Sequence, residues 1–84
     1  MVGVIVNRIK ELREQKMAQA ANPEAWTQEG LAHRLGVTRQ TVISMEKGTY
    51  NPSLQLAFKL AHAFEMRIEE IFSYRDDKNA KWNQ

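Results

Sequence analysis

The segment from Thr27 to Asn51, TQEGLAHRLGVTRQTVISMEKGTYN, constrains this chain of 84 residues more than any other. Thr27 and Thr38 each suit the position before a helix, where a hydroxyl oxygen accepts a backbone N–H from the first turn. Gly36 suits the left-handed residue that ends a helix without a Cβ penalty. Between Thr27 and Gly36 lies an apolar stripe at helical spacing, formed by Leu31, Ala32 and Leu35. The segment therefore predicts two short helices, about Gln28–Leu35 and Arg39–Lys47, joined by a tight turn.

The second of these helices has one face for a core and another left for solvent. Successive residues of a helix are about 100° apart, so Val42 and Met45 share a side and are the expected core anchors. The opposite face carries Arg39, Gln40, Ile43 and Ser44. Any small helical hairpin with a polar outer face is an alternative. The combination of turn glycine, cap and buried valine favours a helix-turn-helix, whose second helix enters the DNA major groove.

The same residues resemble a known family. Gln28–Lys47 with the following GTYNPS is similar to the phage-repressor/Cro-type (XRE) family of prokaryotic transcriptional regulators, and the similarity extends to RIKELREQK and IEEIF. The resemblance implies an all-α fold: a compact five-helix bundle, lambda-repressor-like, in which helices 2 and 3 form the helix-turn-helix. It also implies binding to operator DNA, usually as a dimer.

Two sets of side chains are predicted to contact double-stranded DNA. Base reading is assigned to one face of helix 3, namely Arg39, Gln40, Ile43 and Ser44. Arg and Gln can bind guanine and adenine through two hydrogen bonds, and an aliphatic side chain can contact a thymine methyl group. Phosphate contacts, which position a protein without reading sequence, are assigned to Gln28, His33, Arg34, Thr38, Lys47, Tyr50 and Asn51.

Three features depart from the family pattern. The segment Met17–Ala25 is inserted between the first two helices, and its role stays open. Gly30 stands where a helix-forming acidic residue is common. Glu65 stands where Gly is common after the fourth helix, and a positive φ there costs about 1 kcal/mol.

The first helix is predicted over about Asn7–Ala20, with Ile9 and Leu12 facing the core. The family resemblance pairs Arg13 of this helix with Glu46 of helix 3 in a buried ion pair; two unrelated surface charges are the alternative. Residues 1–6 form a flexible arm, a short edge strand or an extension of helix 1. Trp26 is expected to pack on the core, ahead of the alternative of a platform for bases.

The second half of the chain predicts two more helices. Helix 4 covers about Leu54–Phe64 after the cap residue Ser53, and helix 5 covers about Ile68–Phe72. A wide apolar stripe on helix 4 is formed by Leu54, Ala57, Phe58, Leu60, Ala61 and Phe64. These elements divide the chain into a DNA-binding domain, residues 1–72, and a polar C-terminal tail, residues 73–84.

Composition limits the other functions open to the chain. It has 12 basic and 10 acidic residues, no Cys and only short apolar runs, so we expect neither a disulfide framework nor a membrane span. His33 and His62 have no partners at metal-ligand spacing, and no catalytic constellation or phosphate loop is recognisable. We expect no metal, cofactor or small-molecule ligand, no enzyme activity, and a place in the prokaryotic cytoplasm on the nucleoid.

The function predicted is a sequence-specific transcriptional regulator, most simply a repressor that binds a palindromic operator as a homodimer. An antitoxin or other protein-interaction module on the same fold is the alternative. The favoured dimer surface is the apolar group Ile71, Phe72 and Tyr74, with residues Val4–Val6 as the runner-up.

Overall fold

Five α-helices, a single 3₁₀ turn and a two-stranded sheet make up the fold in the computed structural model, which describes residues 3–76. In chain order the elements are β1 (Gly3–Asn7), α1 (Ile9–Gln19), the 3₁₀-helix (Pro23–Trp26), α2 (Gln28–Leu35), α3 (Arg39–Lys47), α4 (Leu54–Phe64), α5 (Ile68–Ile71) and β2 (Phe72–Asp76). The five predicted helices are confirmed. The all-α prediction was incomplete, because the two ends of the described chain form a sheet.

The helix boundaries follow from the capping residues. The hydroxyl oxygens of Thr27 and Thr38 accept the backbone N–H groups of Gly30 and Thr41 at 3.0 and 3.1 Å. Ser53 caps α4 in the same way, as predicted. Each bond satisfies one of the donors that a helix leaves free at its start. The first helix starts two residues later than predicted because Asn7 is the last residue of β1.

A single apolar core joins all five helices. Its largest fully buried side chains are Phe64, Ile9, Leu31, Leu35, Met45, Leu60, Ile71 and Val42. The predicted role of Trp26 in the core is confirmed: its ring is buried and stacks on that of Phe64, with the centroids 5.4 Å apart. Offset aromatic pairs of this kind add about 0.5–1.5 kcal/mol to the burial of their area.

Helix α4 buries a narrower face than its apolar stripe predicted. Leu54 and Phe58 are 70% and 58% exposed, whereas Leu56, which lies outside the predicted stripe, is buried. Leu54 and Phe58 are one turn apart, so they lie next to each other on the helix surface. The stripe is wider than the core that one domain provides, and its outer edge remains in solvent.

The sheet pairs β1 with β2 in antiparallel register, from Gly3 opposite Asp76 to Asn7 opposite Phe72. Of the three alternatives for residues 1–6, the described part is thus an edge strand. The phenol of Tyr74 lies over Gly3, where a Cβ would meet its oxygen at 1.8 Å. The predicted polar tail contributes residues 73–76 to this sheet, and its remaining residues 77–84 lie outside the described ones.

The inserted segment, residues 17–25, is accommodated by Gly30. Its first residues continue α1 to Gln19, and its last ones form the 3₁₀-helix. This short helix packs so closely on α2 that a Cβ at position 30 would lie 2.4 Å from the carbonyl oxygen of Glu24 and 2.6 Å from that of Ala25. Two departures from the family pattern therefore have one cause.

The third departure is also explained by the backbone. Glu65 follows α4 in the left-handed region, with φ of 57°, and its N–H donates to the carbonyl oxygen of His62. The tight corner before α5 is kept without glycine, at a cost of about 1 kcal/mol.

Candidate nucleic-acid interface

The geometry of the helix-turn-helix comes from a glycine corner and two buried anchors. Gly36 has a φ of 75°, and the next N–H, that of Val37, returns to the carbonyl oxygen of Ala32 at 3.0 Å. On the far side of the turn, Val42 and Met45 have no exposed surface. These anchors fix the rotation of α3 about its axis, so the residues on its other face point outwards.

The four predicted base readers lie on this outward side of α3. Arg39 and Gln40 are exposed, while Ile43 and Ser44 are half-buried. The Gln40 amide nitrogen lies 3.5 Å from the Ser44 hydroxyl oxygen, so the two can move as a linked pair. Ile43 has more protein contact than its predicted place in the middle of the exposed face suggested.

Most of the predicted phosphate contacts lie at the ends of α3 and in the loop after it. Thr38 precedes the helix, Lys47 is its last residue, and Tyr50 and Asn51 follow it; all four are exposed. The Thr38 hydroxyl is already used as a cap, with its oxygen 3.0 Å from that of Thr41. His33 is exposed in the last turn of α2. The predicted phosphate contacts thus flank both ends of the predicted recognition helix.

The predicted ion pair between Arg13 and Glu46 is confirmed. Arg13 Nε lies 2.6 Å from Glu46 Oε2, and the two side chains are only 7% and 4% exposed. The guanidinium also donates to the carbonyl oxygen of Trp26 at 3.2 Å. The pair neutralises the acidic residue of α3, so this carboxylate does not repel a phosphate backbone.

Gln28 is attached to the same ion pair. Its amide nitrogen donates to Glu46 Oε1 at 3.1 Å, from the first residue of α2. An amide nitrogen carries two hydrogens, so one remains for another acceptor. The ion pair thus orients the side chain that the family resemblance assigns to a phosphate.

Arg34 has a structural role that its sequence position did not reveal. Its guanidinium carbon lies 4.6 Å from the centroid of the Trp26 ring, within the range of a cation–π contact. Lys16 approaches the same ring at 5.7 Å. Arg34 therefore packs on Trp26, the residue that follows the inserted segment, and its predicted contact with a phosphate remains a prediction.

Sequence reasoning missed Asn7, which connects the first strand to α3. Its amide nitrogen donates to the carbonyl oxygen of Met45 at 3.0 Å, while its amide oxygen accepts the N–H of Ile9 at 3.0 Å. The available signal was an asparagine just before a helical pattern, the residue type that favours an N-terminal cap. Its second partner could not be found locally because it lies 38 residues away.

Other site chemistries find no support within residues 3–76. No group of three or more His, Cys, Asp or Glu side chains there is arranged to hold a metal ion. None of the helices in that range combines the length and apolar character needed to cross a membrane.

Comparisons with known proteins agree with this geometry. A family model described as Helix-turn-helix matches residues 9–71. The uncharacterized HTH-type transcriptional regulator MJ0272 of Methanocaldococcus jannaschii is 62% identical over 52 residues, which cover 62% of this chain and 79% of that protein. The uncharacterized HTH-type transcriptional regulator YgzD of Bacillus subtilis is 46% identical over 66 residues, which cover 79% of this chain and 88% of that protein.

Proposed function

This chain belongs to the XRE-type helix-turn-helix family of DNA-binding transcriptional regulators, which are not enzymes, and we propose that it represses transcription from a palindromic operator. In this proposal α3 lies in the major groove. One observation carries it: Val42 and Met45 are fully buried, whereas Arg39 and Gln40 on the opposite side of α3 are exposed.

Base reading falls to Arg39, Gln40, Ile43 and Ser44. Arg39 is in the first turn of α3, the part of a recognition helix that reaches base edges. Its fork of donors matches guanine O6 and N7, and the Gln40 amide matches adenine N6 and N7. Ser44 supports the Gln40 amide through their hydrogen-bond contact, and Ile43 supplies an apolar contact for a thymine methyl group.

Phosphate binding positions α3 in the groove. Gln28 at the start of α2 has a free amide hydrogen beside the free N–H groups of a helix N-terminus, where an anion is favoured. Thr38 offers the same setting at the start of α3. Further contacts come from exposed side chains in the turn and the following loop, namely His33, Arg34, Lys47, Tyr50 and Asn51.

A dimer follows from the small number of base pairs that one α3 can contact. Two copies related by a twofold axis would place their recognition helices about 34 Å apart, one helical turn of DNA, and read a palindrome. Such a dimer would compete with RNA polymerase at a promoter and so repress it. Relatives in archaea and bacteria support a role on the nucleoid of a prokaryotic cytoplasm.

For the dimer surface we now favour α4 over the C-terminal group that the sequence favoured. Ile71 is only 1% exposed, so it fills the core of its own domain and is not available to a partner. Val4–Val6, the runner-up, pairs with β2 of the same chain. Tyr74, Val4 and Ile5 are still 55%, 51% and 42% exposed, but Leu54 and Phe58 on α4 expose the largest fractions, 70% and 58%, and we place a second copy of this chain on them.

The grooves beside Phe58 support a second copy as the occupant. The charged residues that line one groove are Glu65, Glu69, Glu70 and Arg67, and those that line the other are Arg34, Lys59 and the shared Glu65. A twofold axis near Phe58 would bring the net acidic groove of one copy to the net basic groove of the other, and burial of the exposed part of two Phe58 rings, each 58% exposed, would contribute about 2–3.5 kcal/mol in all.

A selection of bound duplexes from a random pool tests the proposed function. The expected product is a palindrome whose half-sites are about 10 base pairs apart, centre to centre. Sedimentation on the selected duplex should give two protein chains per site. Enrichment of no sequence, together with a stable protein partner on purification, would favour the interaction module instead.

A further inference from the structure

Asn7 connects three elements that are distant in sequence. It is the last residue of β1 and lies opposite Phe72, the first residue of β2. Its partly buried side chain caps the start of α1 through Ile9 and also binds the carbonyl oxygen of Met45 in the last turn of α3. A single amide therefore uses its acceptor for one helix and its donor for another.

The carbonyl that Asn7 binds belongs to the end of the proposed recognition helix. The last four carbonyl groups of any helix have no partner within it. In α3 the local partners are Gly48, whose N–H donates to Met45, and Thr49, whose N–H donates to Ser44, both at 3.0 Å. Asn7 adds a hydrogen bond from outside this region, and so fixes the end of α3 against the N-terminal strand.

The neighbouring residue holds the same strand to α5. The backbone N–H of Arg8 donates to the carbonyl oxygen of Ile71 at 2.9 Å, and its guanidinium donates to that of Glu70 at 3.1 Å. Since β2 begins directly after α5, pairing of the two strands brings residues 7 and 8 to the ends of α5 and α3 together. A displaced strand would release both bonds.

We propose that Asn7 is a positioning residue for DNA recognition, through which pairing of the two terminal strands sets the orientation of α3. This inference rests on the proposed role of α3. It assigns a function to the sheet: because α3 is held at its C-terminal end by a strand, any event that separates β1 from β2 lowers sequence discrimination before it unfolds the domain.

Asn7→Asp tests the proposal with a minimal change. Aspartate keeps the oxygen that accepts the N–H of Ile9, and its charge is favourable at the start of α1. It cannot donate to Met45, and it places negative charge beside that carbonyl. The ratio of affinities for the selected duplex and for a mixed-sequence duplex should fall about 2- to 12-fold, the range of one net hydrogen bond.

Arg8→Ala is the matched control, because it removes the side-chain bonds to Glu70 and Glu11 but keeps the backbone N–H that donates to Ile71 and leaves Asn7 in place. Its ratio of affinities should stay at the wild-type value, even if both affinities fall with the lost positive charge. Arg39→Ala, measured in the same series, should lower the ratio. An unchanged ratio for Asn7→Asp beside a lowered ratio for Arg39→Ala would overturn the positioning role and leave the proposed function intact.

Amide hydrogen exchange on the free protein provides a test that does not depend on DNA. In Asn7→Asp, exchange should accelerate at Gly48 and Thr49, the local partners of the last turn of α3. The N–H of Leu12, which donates to the carbonyl oxygen of Arg8 in α1, should keep its protection. Equal acceleration at all three amides would indicate a general loss of stability and refute the specific link to α3.

Discussion

Gly30→Ala should destabilise the domain although it replaces glycine with the best helix former, in the first turn of α2. Helix propensity alone predicts a gain of about 0.8–1 kcal/mol. The added Cβ, however, would lie 2.4 Å from the carbonyl oxygen of Glu24 and 2.6 Å from the carbonyl carbon and oxygen of Ala25. All three are backbone atoms, so no side-chain rotation can relieve the contact.

The cost follows from what must move. Carbon atoms approach each other to about 3.5–4.0 Å without strain, so the 3₁₀-helix would shift by on the order of 1 Å. The shift would disturb the hydrogen bond from the Thr27 hydroxyl to Glu24 at 3.0 Å and the packing of the adjacent Trp26. Overpacking of this kind costs about 1–3 kcal/mol. Net of the gain of about 0.8–1 kcal/mol from helix propensity, we expect a loss of up to about 2 kcal/mol.

Urea unfolding followed by helical circular dichroism measures this loss, at one fixed protein concentration for all variants. In thermal unfolding of a domain of this size, the melting temperature should fall by up to about 16 °C. His33→Ala, at an exposed position of the same helix, is the control and should stay within about 0.5 kcal/mol of wild type. A Gly30→Ala variant more stable than wild type would refute the close approach of the inserted segment to α2.

Three further outcomes follow from the structure. Removing either Arg13 or Glu46 should cost about 3–5 kcal/mol because the other charge stays buried, and a double-mutant cycle should show strong coupling; additive losses would contradict the pair. Lys47→Ala should weaken binding to all duplexes and reduce the slope of log affinity against log salt by about one unit; an unchanged slope would exclude a phosphate contact. Phe58→Glu should leave a folded monomer in sedimentation experiments, and a persistent dimer would remove α4 from the interface.

The helix-turn-helix could be predicted from the sequence because its determinants are local. Caps at Thr27 and Thr38, the corner at Gly36 and the anchors Val42 and Met45 all lie within one segment, and each acts on neighbours a few residues away. Such signals need no knowledge of the rest of the fold. The ion pair between Arg13 and Glu46 was found through family resemblance, since no local rule connects residues 33 positions apart.

The sheet could not be predicted, because the partner of the first strand was not recognisable in the sequence. The Val and Ile residues before Asn7 showed strand propensity, but their partner, Phe72–Asp76, is mostly polar and looked like the start of a tail. Pairing between strands at the two ends of the described chain depends on where α5 places the start of β2. The bond from Asn7 to Met45 is a consequence of that pairing and could not be predicted either, whereas the bond between Asn7 and Ile9 is local.

The face of α4 and the role of Gly30 failed to emerge for a related reason. Periodicity showed that Leu54 and Phe58 extend the apolar stripe, but only the packed core shows that it ends before them. From the sequence, Gly30 was only a residue of low helix propensity, whereas in the structure the 3₁₀-helix packs against it. In both cases the missing quantity was the distance to another element.

The affinity of Arg39→Ala for the selected duplex and for a mixed-sequence duplex, at one salt concentration, tests base reading by α3 most directly. We expect a loss of about 1–3 kcal/mol on the selected duplex, a smaller loss on the mixed one, and relaxed preference at one base pair of each half-site. Lys47→Ala is the control and should weaken binding to both duplexes by the same factor. An equal loss on both duplexes for Arg39→Ala would contradict the assignment of α3 as the reading helix.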